Sequence, residues 1–207
     1  MMVGFLLCGA VLITGPLSLS QLQPALQSSP VVEDRQKAVR ESPDDAEARL
    51  KLGIAYAEIE EYDLAMAEFV ESIRLNPDNA RNLNAGANFH LGMMLAALER
   101  PALAVNAYRQ ALKLGFKSPS VHSALGEALA AQRKFDEAIA EYRAALALAP
   151  DSFAAHAGLA LSLEASGSPE EALAEYEIAL QVAPPADEHV LAAITQRLMI
   201  LKDRRQL

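Results

Sequence analysis

Small and apolar residues return along this chain at a fixed distance. Leu91-Gly92, Leu125-Gly126 and Leu159-Ala160 are in step, as are Tyr108, Tyr142 and Tyr176, and Ala111, Ala145 and Ala179, each set spaced by 34 residues. A further copy lies upstream in Leu52-Gly53, Tyr56, Ala65, Phe69, Ser72 and Pro77. Self-similarity at such a period marks structural units that cannot bury their apolar faces alone and do so by stacking on one another. Gly53, Gly92 and Gly126 each follow a repeat leucine, where a side chain would hold paired helices apart.

A 34-residue helix-turn-helix period built on these positions resembles the tetratricopeptide repeat. The resemblance implies an all-α fold, a right-handed α-solenoid of tetratricopeptide helix-turn-helix repeats, and binding rather than catalysis as the class of function. Four complete repeats are expected at 46–79, 85–118, 119–152 and 153–186. Segment 21–45 then holds a linker and a partial repeat, in which Val31 to Glu41 reads as a second helix without its first. Asp44 with Glu47 is expected to form a capping box for the first repeat, and Ser168-Pro169-Glu170-Glu171 predicts a serine N-cap, proline in the first turn and a returning glutamate. Segment 187–207 is expected to form a C-terminal capping helix with Leu191, Ile194, Leu198 and Leu201 on one stripe. Met199 and Ile200 fall off that stripe, and their apolar excess is the expected surface of a homo-oligomer in the alternative reading.

Two departures from the period carry information. Leu52 and Leu91 are 39 apart, so five extra residues sit within 78–88, a stretch that holds Asn79, Asn82, Asn84 and Asn88. Either an extra turn of helix or a longer loop absorbs them. Phe116 replaces the usual proline, with Gly115 before it as a helix stop.

Low aromatic content, the absence of tryptophan and an alanine-rich composition suit closely packed helices. The formal charge of -9 is spread along the chain, which argues against nucleic acid as a partner because phosphate binding needs a basic stripe. Arg197, Lys202, Arg204 and Arg205 gather at the end, where the dipole of a helix favours cations. Met1 to Leu19 carries no charge, and its apolar run Val3 to Ile13 fits a signal peptide at 1–20, cleaved before Gln21. Periplasmic or secreted export is the expectation, with a membrane-anchored chain as the alternative if the segment is not removed. Cys8, the single cysteine, lies inside that segment.

No nucleophile elbow, zinc-protease motif or phosphate-cradling loop occurs, so no catalytic, metal or cofactor site is assigned. The four histidines are His90, His122, His156 and His189; His122 and His156 are one period apart, which suits packing positions better than metal ligands. The resemblance implies that first helices line a concave groove for a protein or peptide partner. Its expected lining is Leu50 and Ile54, then Phe89 and Met93, then Ser123 and Glu127, then Leu161. The carboxylate clamp known from one branch of the family is absent, since Leu50, Ile54, His90, Ser120 and Ala124 stand at the matching places. An apolar end around Leu50, Ile54, Phe89 and Met93, dotted with acids, should prefer an apolar or basic segment. The alternatives are an assembly component that self-associates through its last helix, and an accessory subunit of an exported envelope enzyme.

Overall fold

The computed structural model describes residues 29–184 and 188–205, so the expected signal peptide and most of the linker lie outside the described residues. Among the described residues ten α-helices follow one another: α1 (Pro30–Glu41), α2 (Ala46–Glu58), α3 (Tyr62–Leu75), α4 (Leu83–Ala97), α5 (Pro101–Lys113), α6 (Pro119–Ala131), α7 (Phe135–Leu148), α8 (Phe153–Ser166), α9 (Pro169–Val182) and α10 (Glu188–Arg205). Each packs mainly on its neighbours in sequence, giving the pairs α2/α3, α4/α5, α6/α7 and α8/α9 stacked into an all-α solenoid. The first helices α2, α4, α6 and α8 also touch one another across repeats, which sets them along one side.

A repeated aromatic sandwich holds the stack. An added Cβ at Gly53 would stand 2.6 Å from the Phe69 ring, one at Gly92 2.5 Å from Tyr108, and one at Gly126 3.1 Å from Tyr142. Close approach therefore requires glycine at 53 and 92 and favours it at 126, and the aromatic ring fills the room it leaves. The next repeat closes the other side: the His90 ring stacks on Phe69 at a centroid distance of 5.5 Å, and Gly158 lies against Tyr142. Phe69, Tyr108, Tyr142 and Tyr176 are all buried.

The turn inside each repeat is built alike. Glu60, Glu99, Arg133 and Gly167 adopt φ of 62°, 55°, 62° and 91°, and the next residue donates its N–H back to the carbonyl five positions earlier, as in Arg100 to Leu95 at 2.8 Å and Ser168 to Leu163 at 2.8 Å. This left-handed stop satisfies carbonyls at the helix end. It also corrects one expected cap: Ser168 belongs to this turn and makes no side-chain bond to α9, while Glu171 bonds Arg143 at 2.7 Å. At α2 the cap is Asp45, not Asp44; its carboxylate accepts from the N–H groups of Glu47 and Ala48 at 2.8 and 3.3 Å.

The five extra residues become a 3-10 turn, Ala80–Asn82, and an early start of α4 at Leu83. Asparagine side chains hold it. Asn76 Oδ1 accepts from Ala80 N–H at 3.0 Å, Asn84 Nδ2 donates to the Asn76 carbonyl at 2.6 Å, and Asn79 Oδ1 accepts from Asn84 N–H at 3.0 Å. Asn79 and Asn82 sit at φ of 51° and 57°, a region asparagine tolerates better than most residues. Gly115, at φ 94°, ends α5, and Phe116 folds back to stack on Phe89 with 5.0 Å between ring centroids.

Candidate functional site

The first-helix side carries a groove of about 770 Å³ that runs from α4 to the start of α10. It brings together Phe89, Met93, Ser123, Glu127 and Leu161 of the expected lining and adds Val190 from α10. Met93, Leu161 and Val190 are 40%, 44% and 43% exposed although apolar. Leu50 and Ile54 are not part of this groove: they pack with Phe69, Ala87 and Met94 in a separate apolar cluster shared by the first and second repeats. Phe89 is half-buried against Tyr108 and Phe116 and serves as wall and support together.

Among the described residues Glu127 is the one carboxylate in this lining, and no lysine or arginine lines it. It also walls a smaller hollow of about 440 Å³ shared with Ala96, Tyr108 and Ala124. Its charge reaches two of the sandwich tyrosines. Burial, with Glu127 beside it, pushes the Tyr108 hydroxyl up to about 12, and the same two causes raise Tyr142. Tyr176 is raised by burial and by its bond to Glu164 Oε2, which accepts from the Tyr176 hydroxyl at 2.8 Å. Arg197 of α10 donates to the same oxygen at 3.0 Å.

The histidines at 122 and 156 are packed into the stack, His156 buried and His122 half-buried, and each also serves as a polar anchor. His122 Nδ1 lies 2.8 Å from Glu141 Oε2, and His156 Nδ1 lies 2.6 Å from Glu175 Oε2, while His156 Nε2 faces the Pro150 carbonyl at 2.8 Å. Arg49 and Glu68 form the same bridge in the first repeat at 3.0 Å. The readable signal was a spacing of 19 residues between the two partners. In the second repeat the pair becomes Asn88 and Ala107, and Asn88 instead donates to the Asn84 carbonyl at 2.7 Å. His90 is desolvated where it stacks on Phe69, which lowers its pKa and favours the neutral ring. Among the described residues no three acidic, histidine or cysteine side chains gather as a metal site. His189 lies in α10, at a position whose side chain is outside the described ones.

Ile194 and Leu201 of α10 are buried, and Met199 and Ile200 are 61% and 43% exposed. Its cations do more than complement the dipole: Arg197 pairs with Glu164, and Lys202 Nζ with Glu177 Oε1 at 2.7 Å. Val190 and Arg197 were not legible as site residues because α10 lies beyond the 34-residue period.

Two family models, both described as tetratricopeptide repeat, match residues 25–114 and 123–188. No curated protein sequence matches the chain. Among solved structures, MamA MSR-1 is similar at 30% identity and a TM-score of 0.62, over 73% of this chain and 84% of that one. YrrB, described as "a TPR protein with an unusual peptide-binding site", is similar at 24% identity and a TM-score of 0.66, over 81% of this chain and 82% of that one. MamA 41-end from Desulfovibrio magneticus RS-1 matches at 18% identity and a TM-score of 0.65, over 76% and 86%. With its repeated sandwiches, its stacked helix pairs and these matches, the chain belongs to the tetratricopeptide repeat family, whose arrays are protein–protein interaction scaffolds.

Proposed function

We propose that the chain is a non-enzymatic adaptor that receives an apolar segment of a protein partner in the groove between α4 and α10. The observation that carries this reading is the row Met93, Leu161 and Val190, three exposed apolar side chains facing one continuous hollow. Exposed apolar residues gathered in a concavity mark binding sites more often than scattered ones do. The fold likeness to YrrB, which has a peptide-binding site of its own, agrees with it. Export of this adaptor rests on the uncharged apolar start of the sequence, and is tested by reading the N-terminus of the protein recovered from native cells: retention of Met1 in a cytoplasmic fraction would end that part.

Peptides selected from a displayed random library on the full chain supply the probe. Met93→Ala with Leu161→Ala should weaken their binding roughly tenfold, because each removes apolar contact from the groove while neither is buried in the core. Unchanged affinity sinks the groove reading. Phe89→Ala is the poorer test, since Phe89 also supports Phe116. A second reading, self-association through α10, has the exposure of Met199 and Ile200 in its favour. Light scattering of Met199→Lys with Ile200→Lys decides it: a dimer lost supports self-association, and the same mass before and after removes it.

A further inference from the structure

We infer that Glu127 selects the segment entering the groove by pairing with a cation on it, arginine above lysine, set between apolar side chains. The inference rests on the groove reading above and names the chemistry that the groove takes.

Glu127 is exposed at the middle of a cavity whose other lining residues are apolar or neutral, and no described cation pairs with it. A purely apolar segment laid over it would strip water from a carboxylate and return nothing. That cost is the one incurred by any buried unpaired charge, and it disfavours such a segment. A segment with an acid at this place is repelled outright. A segment with a cation there compensates the carboxylate, and the apolar walls strengthen the attraction by excluding water.

The chain already shows the arrangement once. Helix α10 lays Val190 into the end of the groove and, two turns later, sets Arg197 on Glu164, whose oxygen also accepts from the Tyr176 hydroxyl. Tyr176 is the counterpart, one and two periods on, of Tyr142 and Tyr108, the two tyrosines that feel the charge of Glu127. One helix thus supplies an apolar residue to the groove and an arginine to a carboxylate–tyrosine pair on α8 and α9. Glu127, three residues earlier in the repeat register than Glu164, lines the groove together with Tyr108 and Tyr142, and no described cation covers it. Guanidinium suits it better than ammonium because its planar fork can bond the carboxylate while lying on a tyrosine face.

The experiment selects peptides from a displayed random 12-residue library on the full-length chain and on Glu127→Lys, with thermal melts to confirm that both are folded. Peptides from the unaltered chain should carry arginine or lysine between apolar residues, lose roughly tenfold in affinity when that residue becomes norleucine, and lose as much on Glu127→Gln. Peptides from Glu127→Lys should carry an acid there instead. Two results overturn the inference. Peptides that depend on Met93 and Leu161 but ignore the charge at 127 would leave the groove standing and remove its selectivity. Peptides that ignore all three residues, or the absence of any selected peptide, would remove the groove reading as well.

Discussion

The first and second repeats meet, and the third and fourth repeats meet, through helices in the same register but with different chemistry. At the later junction Tyr142 is enclosed between Gly126 and Gly158, and Arg143 reaches Glu171 at 2.7 Å on the outer surface. At the earlier one Phe69 lies between Gly53 and the ring of His90, and a buried asparagine network fills the space of the five extra residues. Arg109 and Glu137 form the outer ion pair between the second and third repeats at 2.6 Å, yet the equivalent places one junction earlier hold Val70 and Leu103, 56% and 48% exposed. The aromatic between two neighbours is kept, with its volume balanced by what faces it. Polar closure around it is exchangeable.

The largest effect should come from the sandwich. Tyr142→Ala opens a cavity against two repeats at once and should cost roughly 3–5 kcal/mol, the range for deleting a buried aromatic. Phe69→Ala should cost less, because the His90 ring is free to settle into the space. Urea unfolding of both variants checks the order. Equal losses would show that His90 and Gly158 are not doing different jobs.

The sandwich was legible because it is periodic. Leu52-Gly53 and its successors fix where helices cross, and a glycine facing an aromatic one helix later is a pattern that one sequence can show. Asn76, Asn79 and Asn84 were not legible as a network, because they interrupt the period and their partners are set by a left-handed backbone at Asn79 and Asn82. Asparagine richness marked the place but not the bonds. The groove was legible by side, through the family resemblance, but not in extent. Leu50 and Ile54 instead pack against Phe69, Ala87 and Met94 at the seam between the first and second repeats, a partner set that the first-helix register alone does not show. Asp45 displaced Asp44 as cap by one residue, within the tolerance of any cap read from sequence.

A second, smaller effect isolates the network. Asn84→Ala removes the donor to the Asn76 carbonyl and the acceptor for Asn76 Nδ2, at 2.6 and 3.1 Å. Leaving those buried groups unsatisfied should cost about 1–3 kcal/mol. Hydrogen exchange should show the loss in α3 and α4, with α7 and α8 unchanged. Protection falling equally throughout would mean that the two halves are one cooperative unit and would break the comparison.

The turns inside the repeats sharpen it further. The fourth repeat uses Gly167 at a left-handed position, and the second uses Glu99 at φ 55°. Glu99→Gly should stabilise by about 0.5 kcal/mol, because glycine adopts this conformation without the strain of a Cβ. Gly167→Ala should destabilise by about 1 kcal/mol for the same reason. Thermal melts of the pair check the opposite signs.

The smallest effect tests whether the missing ion pair matters. Val70→Arg with Leu103→Glu would place at the first junction the pair that Arg109 and Glu137 form at the next. Exposed pairs contribute roughly 0.2–1 kcal/mol, so a double-mutant cycle should show a coupling in that range at low salt that fades as screening grows. Arg109→Ala with Glu137→Ala should give a coupling of the same size, since both pairs sit on equally open helix faces. Coupling at the native pair and none at the transplanted one would mean that the insertion has shifted α3 against α5. The exposed Val70 and Leu103 would then reflect altered geometry and not a free exchange of residues at a conserved register.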